Sequence, residues 1–148
     1  MRAIPSLARI GAVLFLATAC APERTLRPVA TVKQLMEGTI QPAAEVLFES
    51  VGTVISERGV EEIAPKNDEE WTNVRNNALT LAEAGNLLMI GDRARDRGEW
   101  MKMSQALVEV GVVALKAAEA KNAEALFEAG GQVYEACQHC HSKYMKDR

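Results

Sequence analysis

The chain has 148 residues, of which 48% are hydrophobic and 25% are charged, and these values are typical of a single soluble globular domain. A formal net charge of −3 argues against a broad nucleic-acid-binding surface, so no nucleic-acid partner is expected. Aromatic residues make up only 5% of the chain, whereas Ala, Leu, Val and Glu are plentiful. This balance favours helices over sheets.

Residues 1–19 have the pattern of an export signal. Arg2 and Arg9 give a positively charged start, and the stretch from Ile10 to Ala19 is uncharged and largely apolar. This apolar run is too short to span a bilayer as a permanent helix. We therefore expect the protein to be exported to the periplasm.

Two cleavage sites are open at the end of this signal. Ala17-Thr18-Ala19 fits the A-x-A site of a signal peptidase, whereas Leu16 to Cys20 resembles a bacterial lipobox, in which Cys20 becomes the lipid-bearing first residue. We favour the lipoprotein, because lipidation accounts for an unpaired cysteine in an oxidising compartment. Ala17, which stands where a lipobox usually has leucine, is the departure. The lipid would hold the protein at a membrane that faces the periplasm.

A linker rich in proline and charge covers residues 20–28, and the folded domain is expected over residues 29–148. Apolar residues at three- and four-residue spacing predict a first helix from about Thr31 to about Arg58. Pro42 lies inside it, and a mid-helix proline costs ~3 kcal/mol through a lost hydrogen bond and a clash. We expect a kink or break between Thr39 and Pro42.

Three further helices are predicted. Asn67 is an N-cap candidate, with Glu70 completing a capping box, and this second helix should stop between Gly91 and Gly98. A third helix is expected over Glu99–Lys121, and a fourth begins after the cap candidate Asn122. Long helices joined by short loops predict an all-α antiparallel four-helix bundle without strands. Trp71 and Trp100 are expected in its core.

The most specific motif is Cys137-Gln138-His139-Cys140-His141 on the predicted last helix. C-x-x-C-H is the motif by which haem is attached covalently to protein. The thiols of Cys137 and Cys140 form thioethers with the haem vinyl groups, and His141 is placed to bind the iron as an axial ligand. One covalent haem c is the predicted cofactor, and its attachment outside the cytoplasm agrees with the export signal. His139 is expected to face solvent as a spacer.

Three other uses of these cysteines remain open. A thioredoxin-like redox pair uses C-x-x-C beside a βαβ pattern, and no such pattern is evident here. A zinc site needs four ligands, but the two histidines are both in the motif and the third cysteine is at the far end of the chain. A disulfide between Cys137 and Cys140 would close a very short loop.

From about Val29 onward the chain resembles the cytochrome c′ family, including its low-spin relatives with methionine as an iron ligand. The most specific part is Phe127 and Gly130, the haem motif, and Tyr144 three residues after His141. The resemblance implies an up-down-up-down four-helix bundle with haem on the last helix. It also adds the expectation of a homodimer through the first two helices. The family commonly has an arginine after the aromatic residue, where this chain has Met145.

In this family the residue that faces the sixth iron position comes from the first helix, where Met36 lies on the apolar face. A thioether suits haem iron and raises its potential. The alternative is that Met36 is an ordinary core residue, since methionine commonly fills gaps in cores. Met89, Met101 and Met103 are weaker candidates because they lie on other helices.

The predicted function is electron transfer with redox partner proteins, by a periplasmic or membrane-anchored cytochrome. The alternative is a high-spin haem protein that binds small gases such as nitric oxide, if the sixth position is open. No enzymatic activity is expected, because no spare histidine and no distal Arg/His pair are evident for peroxidase chemistry.

Overall fold

The computed structural model describes residues 26–145. The expected export signal and Cys20 lie outside this range. The first element is a composite that we call the N-terminal helical unit. It consists of helix α1 (Val32–Leu35), a π-helical turn (Met36–Ile40) and helix α2 (Gln41–Ser50).

The predicted distortion before Pro42 is confirmed and takes the form of this π-helical turn. Pro42 is at the start of α2 and has no N–H to donate, and the N–H of Gln41 reaches back to the carbonyl oxygen of Met36. The extra residue in the turn accommodates the proline ring without ending the helix. Met36 therefore starts the turn and Ile40, which is buried, ends it.

The expectation that the first helix reaches Arg58, with no strands in the chain, is wrong. The helix ends at Ser50, and two antiparallel strands follow, β1 (Gly52–Ser56) and β2 (Gly59–Ile63). Three β-branched residues in a row, Thr53 to Ile55, favour an extended backbone over a helix. Gly59 supplies the φ of 123° that the tight turn needs.

Three long helices make up the rest: α3 (Asp68–Leu88), α4 (Glu99–Glu119) and α5 (Ala123–Tyr144). Both predicted N-caps are confirmed, because the Asn67 side chain accepts from the Glu70 N–H and that of Asn122 accepts from the Ala125 N–H. The predicted capping box is not completed, since the Glu70 carboxylate accepts from the Lys66 N–H instead of the Asn67 N–H. A 3-10 turn (Gly91–Arg93) joins α3 to α4. The described chain is thus mostly helical, in agreement with an all-α bundle to which a hairpin is added.

One hydrophobic core joins all the helices. The largest fully buried side chains are Leu47 from α2, Val74 and Leu81 from α3, and Leu126 and Val133 from α5. Trp71 and Trp100 are buried, as predicted, whereas Phe127 and Tyr134 of α5 are more than half exposed. No helix in the described part of the chain is long and apolar enough to cross a membrane.

Candidate haem site

The C-x-x-C-H motif lies in the last two turns of α5, beside the N-terminal helical unit. Cys137 and Cys140 are free thiols of intermediate burial, and Cys137 packs against the hydrophobic core. His141 is also half-buried, whereas His139 is exposed, as its predicted spacer role requires. The helix therefore turns the three residues that would bind haem toward the protein and the spacer histidine toward solvent.

These three residues line a cavity of about 350 Å³, which we call the inner cavity. The N-terminal helical unit forms one side, with residues of α3 and α4 behind. Its other walls are mostly apolar, with Gln41, Glu45 and Ser104 as the polar exceptions. The apolar residues include Met36, Ile40, Ala44, Phe48, Leu88 and Leu107. A cleft of this size and lining is suited to a large apolar ligand.

A second cavity of about 340 Å³, the outer cavity, shares Met36, Gln41, Cys140 and His141 with the first. It opens toward the C-terminal end of α5, where Tyr144 and Met145 line it. Its walls also include two cations, Lys33 and Arg95. The shared residues make the two cavities adjoining parts of one cleft, with an apolar interior and a charged mouth.

Met36 occupies the position that the sequence predicted for it, on the N-terminal helical unit and facing the cleft. It lines both cavities together with His141 and packs against the edge of the core. Met103 of α4, a weaker candidate in the sequence because it lies on another helix, also lines the inner cavity. The inner cavity therefore contains two thioethers, and Met145 adds a third in the outer cavity.

Burial raises the pKa of the Cys137 thiol, and burial together with the neighbouring Cys137 raises that of Cys140. Redox-active pairs of the thioredoxin type have the opposite shift, a lowered pKa that supplies the reactive thiolate. Within residues 26–145, no group of three or more His, Cys, Asp or Glu side chains is arranged to hold a metal ion. The redox pair and the zinc site therefore gain no support.

A polar cluster that the sequence pattern did not reveal closes the mouth of the cleft. Tyr144 donates a hydrogen bond to the Asp96 carboxylate, and its ring packs edge-on against Trp100 with centroids 5.0 Å apart. Asp96 also accepts from the backbone N–H groups of Gly98 and Trp100. The Tyr144 hydroxyl, followed by these backbone groups, lowers the pKa of Asp96, and the Asp96 carboxylate raises that of Tyr144 to about 12. The last turn of α5 is thus tied to the start of α4.

The indole N–H of Trp100 donates to the carbonyl oxygen of Leu88 at 2.8 Å. The buried Arg93 donates to the carbonyl oxygens of Ala30 and Leu87 at 2.9 and 3.0 Å. These hydrogen bonds join the segment before α1 and the end of α3 to the α3–α4 connection and to the start of α4. The signal in the sequence was weak, because charged residues between two helices are usually a solvated loop.

Gly130 and Gly131, one to two turns before the haem motif on α5, are not points of close approach. A Cβ on Gly130 would lie 3.8 Å from Phe48, and one on Gly131 would meet nothing within 4 Å. The close approach is between α3 and α4 instead, where a Cβ on Gly111 would lie 2.7 Å from the backbone nitrogen of Ala82.

Comparison of the chain with protein-family models, with curated proteins and with solved structures found no match.

Proposed function

We propose that this chain is a mono-haem c-type cytochrome that transfers electrons in the periplasm, with the up-down-up-down bundle of the cytochrome c′ family. One observation carries the proposal: Cys137, Cys140 and His141 of a C-x-x-C-H motif line an apolar cleft that Met36 lines from another helix. A surface motif that matched by chance would have no such cleft beside it. The short connection between α4 and α5, residues 120–122, supports an antiparallel pair of helices.

The residues of the cleft fit a covalently bound haem. Cys137 and Cys140 would hold it as thioethers, and His141 and Met36 would bind its iron. The haem supplies an iron centre that changes oxidation state by one electron. The chain supplies a soft thioether, which favours the reduced iron and raises the potential, and apolar walls that exclude water from the ring.

At the mouth of the cleft, the chain holds the end of α5 in place. Asp96 and Trp100 bind Tyr144, three residues after His141, and Arg95 places a cation in the outer cavity. Restraining this turn would also restrain His141, the residue that would bind the iron. A restrained ligand would reduce the rearrangement that accompanies electron transfer to and from redox partner proteins.

The apolar lining also favours a second function, the binding of small gases such as nitric oxide. If Met36 packs in the core and does not bind the iron, the inner cavity would hold a small gas beside the haem. Its mostly apolar walls, which include Ala44, Phe48 and Leu107, favour an uncharged diatomic ligand.

The optical spectrum with and without carbon monoxide distinguishes the two functions. Electron transfer with Met36 bound predicts a low-spin reduced spectrum that carbon monoxide does not change. A high-spin spectrum that shifts on adding the gas would contradict the methionine ligand and support gas binding. A protein without a haem spectrum after production in cells that mature c-type cytochromes would contradict both.

We also propose that Cys20 carries lipid and anchors the protein to a membrane that faces the periplasm. Two or more acyl chains hold a protein stably at a bilayer, whereas one chain is marginal. Cys20→Ser should move the protein from the membrane fraction to the soluble fraction. A mature N-terminus at a residue other than 20, or an unmodified Cys20, would contradict the lipid anchor.

A further inference from the structure

The hairpin of β1 and β2 is the one element whose apolar residues are left largely exposed among residues 26–145. Ile55 is 80% exposed and Val60, its cross-strand partner, is 69% exposed. Every residue of both strands is exposed except Gly52, which is partly buried. A two-stranded hairpin is marginally stable alone, and stable sheets have further strands or a packed face.

The two outer edges of this hairpin differ in charge. Strand β1 reads Gly-Thr-Val-Ile-Ser and carries no charged residue, whereas β2 contains Glu61 and Glu62. Charged residues on an edge strand prevent another strand from pairing with it, and an uncharged, β-branched edge lacks that protection. The free edge of β1 is therefore the edge on which another strand can be added.

We propose that β1 pairs antiparallel with β1 of a second copy of this chain, about a twofold axis at Val54. The pairs would be Val54 with Val54, Thr53 with Ile55, and Gly52 with Ser56. Each pair is apolar or hydroxyl-bearing, and β-branched pairs across strands stabilise a sheet. The same pairing through β2 places Glu61 against Glu61, and like charges directly opposite each other are destabilising.

The product is a four-stranded sheet of order β2, β1, β1, β2. On one face, Ile55 has Val60 of its own chain on one side and Thr53 of the second copy on the other. The largest exposed apolar residues thereby gain cross-strand neighbours. This surface is separate from the first two helices, through which the resemblance implied dimerisation, and the pairing does not depend on bound haem.

Sedimentation velocity of the full chain tests the pairing over a series from ~1 µM to ~1 mM. A small interface predicts weak association, so the average mass should rise from one chain toward two within this series. V54K alone and V54E alone should each remain at the mass of one chain, because the twofold axis places identical charges together. An equimolar mixture of V54K and V54E should restore the dimer.

E61K is the matched control, because Glu61 is the cross-strand partner of Val54 on the same face but on the outer strand. It should dimerise as the wild type does. A wild type that stays at one chain mass, variants at Val54 that still dimerise, or a mixture that does not pair would each overturn the proposal. Loss of the dimer in E61K would overturn the choice of edge.

Amide hydrogen exchange tests the pairing in the wild type, so the result does not depend on whether a variant folds. The outward-facing amides of Thr53–Ile55 should exchange more slowly at the high end of the concentration series. The amides of Val60–Glu62 should not change. Equal exchange of the β1 amides at both concentrations would overturn the proposal.

Discussion

The helices of the bundle are closely packed between α3 and α4, whereas a cavity lies between the N-terminal helical unit and α5. Between α3 and α4, small residues bring two backbones together, and a Cβ on Gly111 would lie 2.7 Å and 2.8 Å from backbone atoms of Ala82. Between the N-terminal helical unit and α5, larger side chains stand around a cavity of about 350 Å³. Both interfaces are apolar, but only the first is filled by the chain itself.

The difference between the two interfaces indicates how a small core can contain a ligand site. Close-packed helices hold the bundle together, because interiors are stable when they contain few voids. The π-helical turn and Pro42 interrupt the helix that faces α5, and such turns occur frequently at functional sites. The cleft is therefore a gap that a haem would complete, whereas the α3–α4 interface is complete already.

Replacing the methionine of the cleft should give the largest effect. Carbon monoxide should not change the optical spectrum of the wild-type haem, whereas it should change that of Met36→Leu. The potential should fall by on the order of 0.1 V, because the thioether ligand is lost. Folding should be nearly unchanged, since the two side chains are close in volume and such exchanges cost less than about 1.5 kcal/mol.

Met103→Leu is the matched control, because Met103 lines the same cavity from α4. It should leave the spectrum and the potential as they are. The reverse result, in which Met103→Leu changes the spectrum and Met36→Leu does not, would show that the iron ligand is Met103. No change in either variant would mean that neither thioether binds the iron.

A methyl group added at the closely packed α3–α4 interface should lower the free energy of unfolding, whereas a methyl group added in open space should not. Gly111→Ala should lower the free energy of unfolding by about 1–3 kcal/mol, because the Ala82 backbone must move away. Gly131→Ala places the same methyl group in open space on α5 and should stabilise the helix by up to about 1 kcal/mol. Denaturant unfolding of both variants measures the difference, and equal effects would contradict it.

The smallest effect is expected at the hydrogen bonds that join Asp96 to Tyr144 and to the backbone at the start of α4. Hydrogen bonds from Tyr144, Trp100 and Gly98 lower the pKa of Asp96 in the folded state. Its contribution to stability is therefore present above the ordinary aspartate pKa of about 3.9 and is lost as the pH falls through the lower folded value. The melting temperature of Asp96→Asn should respond less to acidification below about pH 4 than that of the wild type.

Asp92→Asn is the control for the loss of a carboxylate, because Asp92 is exposed in the neighbouring 3-10 turn. It should change the melting temperature less than Asp96→Asn does. An Asp96→Asn variant with an unchanged acid profile would show that the bonds to Tyr144 and the α4 backbone do not stabilise the folded carboxylate.

The starts of α3 and α5 were predictable from the sequence because local capping signals determine them. Asn67 and Asn122 cap α3 and α5 as their residue types predict, and the distortion before Pro42 follows from its missing N–H. The burial of Trp71 and Trp100 follows from helical periodicity. The placement of Met36 and His141 in one cleft was expected from the resemblance and from the apolar stripe.

The hairpin and the mouth of the cleft were harder to predict. Val54 and Ile55 also fit the three- and four-residue spacing of a helix, so periodicity alone concealed the strand preference of their branched side chains. Tyr144 and Asp96 are far apart in the chain, and nothing local indicates that they meet. The contribution of Met103 to the cleft depends in the same way on how α4 packs beside α5.

Acid extraction of haem from the denatured protein tests the covalent attachment most directly. Haem should remain with the wild-type polypeptide, because thioethers to Cys137 and Cys140 survive denaturation. It should be absent or fully extracted in Cys137→Ala with Cys140→Ala, whereas Cys20→Ser should retain it. Complete extraction of haem from the denatured wild type would contradict a c-type cytochrome.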